Sequence, residues 1–244
     1  MKGFPTAILL SLLLSLLGCR SHPAPTVRVE QRTVASGRQY TLFYPGRLAI
    51  QVVTRLPNLD QSECQLSVAA AYTDLQTNQP LDLLVDQGQL RQARVKVGWL
   101  DGVLTIVNTT LTLTRIAPGQ TPPHALLEQV RRQNGTLLLQ ELLVYQGQNL
   151  KPAGGSLFQR RALVELTNHQ FAVIESASDS LTLYQFGEDL RALGARNALY
   201  LDMGDWDEGW YRKDNSVVKL GYRRTQTARQ SNWLVFINPE SARK

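Results

Sequence analysis

The chain has 244 residues, 43% of them hydrophobic, with 26 Lys and Arg against 20 Asp and Glu for a formal net charge of +6. That length supports one sizeable core. The basic residues are scattered, the pairs being Arg131/Arg132, Arg160/Arg161 and Arg223/Arg224. Without a basic stripe interleaved with aromatics, nucleic acid is excluded as a partner.

Lys2 precedes the apolar run AILLSLLLSLL (7–17), which is too short to sit comfortably as a permanent bilayer span. The run ends in Leu16-Leu17-Gly18-Cys19, a small residue directly before Cys with Leu three positions ahead of it, and this resembles the bacterial lipoprotein lipobox. The resemblance implies cleavage after Gly18, lipidation of Cys19 and a chain anchored to a membrane of the cell envelope. An ordinary signal peptide with a chance cysteine is the alternative. RSHPAPTVRVEQ (20–31), polar and with two prolines, reads as a tether. The expected organisation is a signal peptide over 1–18, a tether over 19–35 and one domain over 36–244. With Cys19 acylated, Cys64 has no disulfide partner and reads as a buried, inert thiol in CQLSVAAAYT.

In chain order, QYTLFYP (39–45) and LAIQVVTRL (48–56) read as strands separated by the Pro45-Gly46 turn, and CQLSVAAAYT follows as a third. LDLLVDQGQLRQARVKVGWL is a hairpin about Asp86-Gln87-Gly88, and GVLTIVNTTLTLTRI (102–116) is strongly strand-like. TPPHALLEQVRRQNG (121–135) has prolines in front, apolar residues at helical spacing and Asn134-Gly135 as a stop, which predicts a helix. TLLLQELLVYQGQNL follows, and then a hairpin whose arms meet at Asn168-His169. SLTLYQFGEDLRALGA (180–195) predicts a second helix with Ser180 as N-cap and Leu183, Phe186, Leu190 and Leu193 as its apolar stripe. Gly187 weakens its middle, and Glu188 and Asp189 read as surface charges. Two further strands, NALYLD and NWLVFIN (232–238), give a fold class of α+β, mainly antiparallel sheets with a few packed helices.

The stretch ALYLDMGDWDEGWYR (198–212) leads an apolar strand into Asp202, Asp205, Asp207 and Glu208, with Trp206, Trp210, Gly204 and Gly209 among them. The order QRRALVEL, FAVIESA, a helix, LGARNALYLDMGDWDEGWYR and NWLVFINP resembles the phosphodiester glycosidase family, relatives of the mannose 6-phosphate uncovering enzyme. It is most similar to a Bacteroidetes-type lipoprotein branch of that family. The family's Arg-Thr-Ala strand, Leu-Gly helix end and Leu-Asp-Gly-Gly strand end appear as Arg160-Arg161-Ala162, Leu193-Gly194 and Leu201-Asp202-Met203-Gly204. The similarity is clearest over 157–237.

The resemblance implies hydrolysis of a sugar-1-phosphodiester at its glycosidic bond, in exopolysaccharide or a related envelope glycan. A planar, permanently charged guanidinium suits phosphate oxygens, so Arg160 is the phosphate ligand. Asp202 is the carboxylate at the anomeric centre, and Asp205 a second one, with Asp207 and Glu208 as other choices. Trp206 and Trp210 offer flat surfaces for a sugar ring, and Arg161, Asn108, Gly204, Asp207, Glu208 and Arg212 complete the substrate-binding set. Two departures weigh against turnover: Met203 replaces the first glycine after Asp202, and Thr109-Thr110 follow Asn108 where the family has Gly-Gly. A non-catalytic descendant that binds glycan or a partner protein therefore stays open. So do a structural Arg160–Asp202 ion pair and an acidic loop whose tryptophans fold back onto the sheet. No cofactor or metal motif is present. Calcium, which takes several carboxylate oxygens, is an open alternative, although DMGDWDEG lacks EF-hand spacing.

Overall fold

The structure is a computed structural model in which residues 25–203, 207–214, 216–223 and 229–241 are described. Its first strands are β1 (Arg28–Thr33), β2 (Gln39–Tyr44), β3 (Ala49–Val53), β4 (Cys64–Ala69), β5 (Thr73–Asp74) and β6 (Gln79–Pro80). Next come β7 (Leu84–Asp86), β8 (Gln89–Gln92), β9 (Gly102–Val107), β10 (Thr110–Arg115) and helix α1 (His124–Arg132). The chain continues through β11 (Thr136–Gln140), β12 (Leu142–Tyr145), β13 (Gln148–Asn149), β14 (Arg161–Leu166) and β15 (Phe171–Ser176). Helix α2 (Leu183–Ala192), β16 (Ala195–Leu201), β17 (Gly209–Lys213), β18 (Ser216–Leu220) and β19 (Trp233–Ile237) complete it. Among the described residues every strand pairing is antiparallel.

Three larger sheets result, in the orders β1-β2-β15-β14-β16-β12-β13, β10-β9-β11-β7-β8 and β18-β17-β4-β19-β3. Their inner faces share one core: Phe43, Leu163 and Leu199 from the first, Leu104 and Leu138 from the second, and Leu66, Val68 and Phe236 from the third. Side chains alternate along a strand, so β14 sends Leu163 inward and Ala162 and Val164 outward, where Phe186 and Leu190 of α2 cover them. Val130 of α1 covers Leu137 and Val103 of the second sheet in the same way. Each such Leu, Val or Phe contributes about 1.5–3 kcal/mol on burial.

The turns follow from residues that tolerate positive φ. Gln87-Gly88 (φ 47° and 76°) and Gln146-Gly147 (φ 51° and 75°) close two-residue hairpins. Residues 102–116 are not one strand but the β9–β10 hairpin, turned at Asn108 and Thr109 with φ 49° and 67°. Thr182, not Ser180, caps α2: its hydroxyl accepts from the Gln185 N–H while the Gln185 side chain answers the Thr182 N–H. Gly187 belongs in this helix because Asn149 packs on it; a Cβ there would meet Asn149 Oδ1 at 2.4 Å. Asp189 is buried rather than a surface charge, gripped by both arms of Arg38 and by the Tyr40 hydroxyl.

Residues 28–33, read as tether, form the edge strand of the first sheet, paired with β2 from Arg28↔Tyr44 to Thr33↔Gln39. An edge strand exposed on both faces has the composition of a linker, and its backbone pairing leaves no trace in composition.

Candidate functional site

β14 and β16 are neighbours in register Arg161↔Leu201, so the next pair outward sets Arg160 across from Asp202 at the end of β16. Alternation then separates the two consecutive arginines. Arg161 points with Leu163 toward the shared core, while Arg160 points with Ala162 and Tyr200 toward the α2 side.

Arg160 is 6% exposed. Its Nε donates to the Leu181 carbonyl at 3.0 Å, Nη2 to the Ser156 carbonyl at 2.6 Å and Nη1 to the Tyr200 hydroxyl at 3.3 Å. Asp202 is 7% exposed, and its N–H donates to the Ala70 carbonyl at 3.0 Å, which ties the strand end to the segment after β4. Burial pushes the Tyr200 hydroxyl up to about 12; the Arg160 charge opposes this, and the Asp202 and Glu141 carboxylates add to it. Burial likewise raises Tyr72, with Tyr200, Glu141 and Asp202 adding to the shift and Arg160 opposing it. Five ionisable groups thus share one neighbourhood on one face of the first sheet.

Glu141, buried at the crossover between β11 and β12, pairs with Lys151 Nζ at 2.6 Å and lies 3.5 Å from the Tyr72 hydroxyl. The Tyr72 and Tyr200 rings stand 6.2 Å apart. The sequence reading missed Tyr72, Glu141, Lys151 and Tyr200. Strand period alone could have found Tyr200, two residues before Asp202 on the same face. A lone glutamate inside TLLLQELLVY was a signal too, since charge buried in an apolar run needs a partner.

Arg161 faces the other way and is fully buried. Its Nε donates to Glu175 Oε2 at 2.6 Å and its Nη2 to the Asp207 carbonyl at 3.0 Å. Gln159 completes this inner knot, donating to Glu175 Oε1 at 3.1 Å and the Ser176 carbonyl at 2.8 Å and accepting from the Tyr222 N–H at 2.6 Å. Arg161 therefore ties the first sheet to the segment entering β17 and is not turned toward Asp202.

The remaining expected site residues disperse. Asp207 is buried, and its Oδ2 accepts from the Arg223 N–H at 2.6 Å. Glu208 pairs with Lys219. Trp210, 5% exposed, packs with Cys64, Trp233 and Val235 on the outer face of the third sheet. Arg212 lies 5.5 Å from the Trp210 ring centroid and donates to the carbonyls of Leu59, Gln61 and Cys64, so it pins a loop. The reason is again alternation: Tyr211 packs on Phe43 in the core, which sends Trp210 and Arg212 outward. Asn108 sits at its hairpin tip, and its neighbour Thr109 lines a cavity with Phe171. Phe171 begins β15, whereas Ser176, at the other end of that strand, hydrogen-bonds Arg160. Met203 is a core residue on the α2 side. Cys64 is the inert thiol expected, buried and pushed up to about 12 chiefly by that burial. Cys19, Gly204, Asp205 and Trp206 lie outside the described residues.

No family model matches the chain, and no curated protein does. Among solved structures it is similar to the catalytic domain of zebrafish N-acetylglucosamine-1-phosphodiester α-N-acetylglucosaminidase, auto-inhibited by its pro-peptide. The TM-score is 0.58 at 14% identity, over 87% of this chain and 82% of that one. The chain shares that fold. A hypothetical protein from Synechocystis gives a TM-score of 0.57 at 15% identity, over 88% of this chain and 64% of that one. The similarity is a distant one of fold, and it agrees with the sheet-dominated α+β class. Among the described residues no group of three His, Cys, Asp or Glu side chains gathers to hold a metal, and no helix is long and apolar enough to cross a membrane.

Proposed function

We propose that the chain is a lipid-anchored lipoprotein of the bacterial cell envelope that hydrolyses the glycosidic bond of a sugar-1-phosphodiester in an exopolysaccharide or related glycan. One observation carries the reading: a cation, Arg160, and an anion, Asp202, stand opposite each other on adjoining strands, on one sheet face with Tyr200 beside them. The shared fold supports it.

In this reading Arg160 holds the non-bridging phosphate oxygens. The bond from the anomeric carbon to the phosphate oxygen breaks, and its electron pair leaves with the phosphate. Water delivers hydroxide to the anomeric carbon and its proton to a carboxylate, giving a free sugar and a phosphomonoester. Asp202 faces the oxocarbenium-like centre, and Asp205 is the second carboxylate. A phosphate leaves readily, so little general-acid help is required. Tyr200, held neutral by burial, keeps the Arg160 guanidinium in place.

A non-catalytic glycan- or partner-binding lipoprotein is the second reading. It is favoured by the buried Met203 and by the three hydrogen bonds that already engage Arg160. A panel of sugar-1-phosphodiesters, N-acetylglucosamine-1-phosphodiesters among them, assayed with and without calcium, separates the two. Turnover that Asp202→Asn abolishes supports the hydrolase. Absence of turnover, with glycan binding that Arg160→Ala removes, supports the binding protein. The anchor is tested separately: Cys19→Ala should move the chain from the membrane fraction to the soluble one.

A further inference from the structure

The segment after β18 turns sharply and comes back against the inner knot. Gly221, at φ 92°, lets it do so, because a Cβ there would lie 2.4 Å from the Asp207 carbonyl oxygen. The next two backbone N–H groups are both fixed, Tyr222 N–H by Gln159 Oε1 and Arg223 N–H by Asp207 Oδ2, each at 2.6 Å. A backbone held this firmly nonetheless presents Tyr222 63% exposed, with Leu157, 55% exposed, on the segment that leads into Phe158. An exposed tyrosine on a hydrogen-bonded backbone offers a ligand a flat apolar face with a polar tip.

Phe158 links this ledge to the proposed site. The Arg160 guanidinium carbon lies 5.2 Å from the Phe158 ring centroid, and that of Arg223 lies 5.5 Å from it. The two cations differ in what they have left to offer. Arg160 donates to two carbonyls and a hydroxyl. The Arg223 side chain is exposed, and among the described residues its guanidinium donates to no acceptor. Both guanidinium carbons thus lie within 5.5 Å of one ring centroid, and Tyr222 directly precedes Arg223 in the chain.

We propose that Tyr222 and Arg223 form the subsite for the group on the far side of the phosphate, and that this group is itself a sugar within a phosphate-linked, polyanionic glycan. Tyr222 gives the ring a flat apolar face, and Arg223 gives the polymer's charge a partner. The proposal rests on the hydrolytic reading, so the test must tell the two apart.

The experiment uses the whole chain and two probes, an N-acetylglucosamine-1-phosphodiester with a methyl aglycone and one with a hexose aglycone. In Tyr222→Ala and in Arg223→Gln, KM for the hexose probe should rise about tenfold more than KM for the methyl probe. Equal effects on the two probes, or none on either, would overturn the subsite. Wild type that turns over neither probe sinks the hydrolytic reading, and calorimetric binding of a phosphate-linked oligosaccharide then decides about the ledge. Affinity about tenfold weaker in both variants upholds it, and wild-type affinity in either, or no binding at all, overturns it.

Discussion

Arg160 and Arg161 are consecutive residues, and each anchors a polar cluster on a different face of the same sheet. On the α2 side, Arg160 sits with Tyr200, Asp202 and Glu141, buried groups fastened to one another by single contacts and by charge. On the core side, Arg161 with Glu175, Gln159 and the Asp207 carbonyl makes a knot that joins two sheets. The difference shows that paired arginines at a strand start need not form one clamp, because strand period hands one to each face. The outer cluster gathers charge beside α2, and the inner one holds two sheets together.

The largest effect should come from breaking the inner knot. Arg161→Met leaves Glu175 charged and buried without its partner, which costs about 3–5 kcal/mol. A urea unfolding midpoint reads it, and adding Glu175→Gln should recover part of the loss because the uncompensated charge is then gone. A loss under about 1 kcal/mol for Arg161→Met would mean that the knot does not tie the sheets. Next in size is Gly221→Ala. Its Cβ would collide with backbone atoms of Asp207, and φ 92° is unsuited to alanine, so a loss of about 1–3 kcal/mol is expected in thermal melts.

The outer cluster predicts a pH signature instead. A tyrosine ordinarily titrates near 10, and burial holds Tyr200 up to about 12. Its contribution to stability is therefore complete below about pH 10 and is lost as pH rises through about 12. Tyr200→Phe should cost about 1 kcal/mol at pH 7, where the Arg160 Nη1 loses its acceptor, and should flatten the alkaline fall in the urea midpoint. Tyr40 and Tyr72 are raised as well, so part of that fall will remain. An alkaline profile identical to wild type would place the Tyr200 hydroxyl outside the cluster.

Much of this fold was legible locally. Gln87-Gly88, Gln146-Gly147 and Asn168-His169 each punctuate alternating runs with residues that accept positive φ, and each is a hairpin. The β9–β10 hairpin escaped notice because its second turn residue is a threonine, and β1 because an edge strand is polar on both faces. In the candidate site, Arg160 and Asp202 were singled out by resemblance, and β-pairing sets them opposite each other. Tyr72 and Glu141 arrive from the segment after β4 and from the β11–β12 crossover, through packing between sheets that no local pattern encodes. That Trp210 and Arg212 lie on the outer face of the third sheet was not legible, because an acidic, aromatic run does not say where the strand phase restarts. Gly209 sets that phase, and its Cα approaches Val68 and Ser67 too closely for a side chain.

Thr109 offers the smallest expected change and separates both clusters from the hairpin tip. A β-branched residue at φ 67° is strained, and the second position of this turn is one that glycine fills without penalty. Thr109→Gly removes that strain, but it also gives up the local bond from the Thr109 hydroxyl to the Asn108 carbonyl and adds backbone entropy to the unfolded chain. The balance should be a gain of about 0.5 kcal/mol, seen as a higher urea midpoint with the same denaturant slope. Because the tip neighbours Phe171, at the far end of β15 from Ser176, the substitution should leave the proposed hydrolysis unaffected. A substantial fall in activity would place the tip at the substrate and support Asn108 as a binding residue.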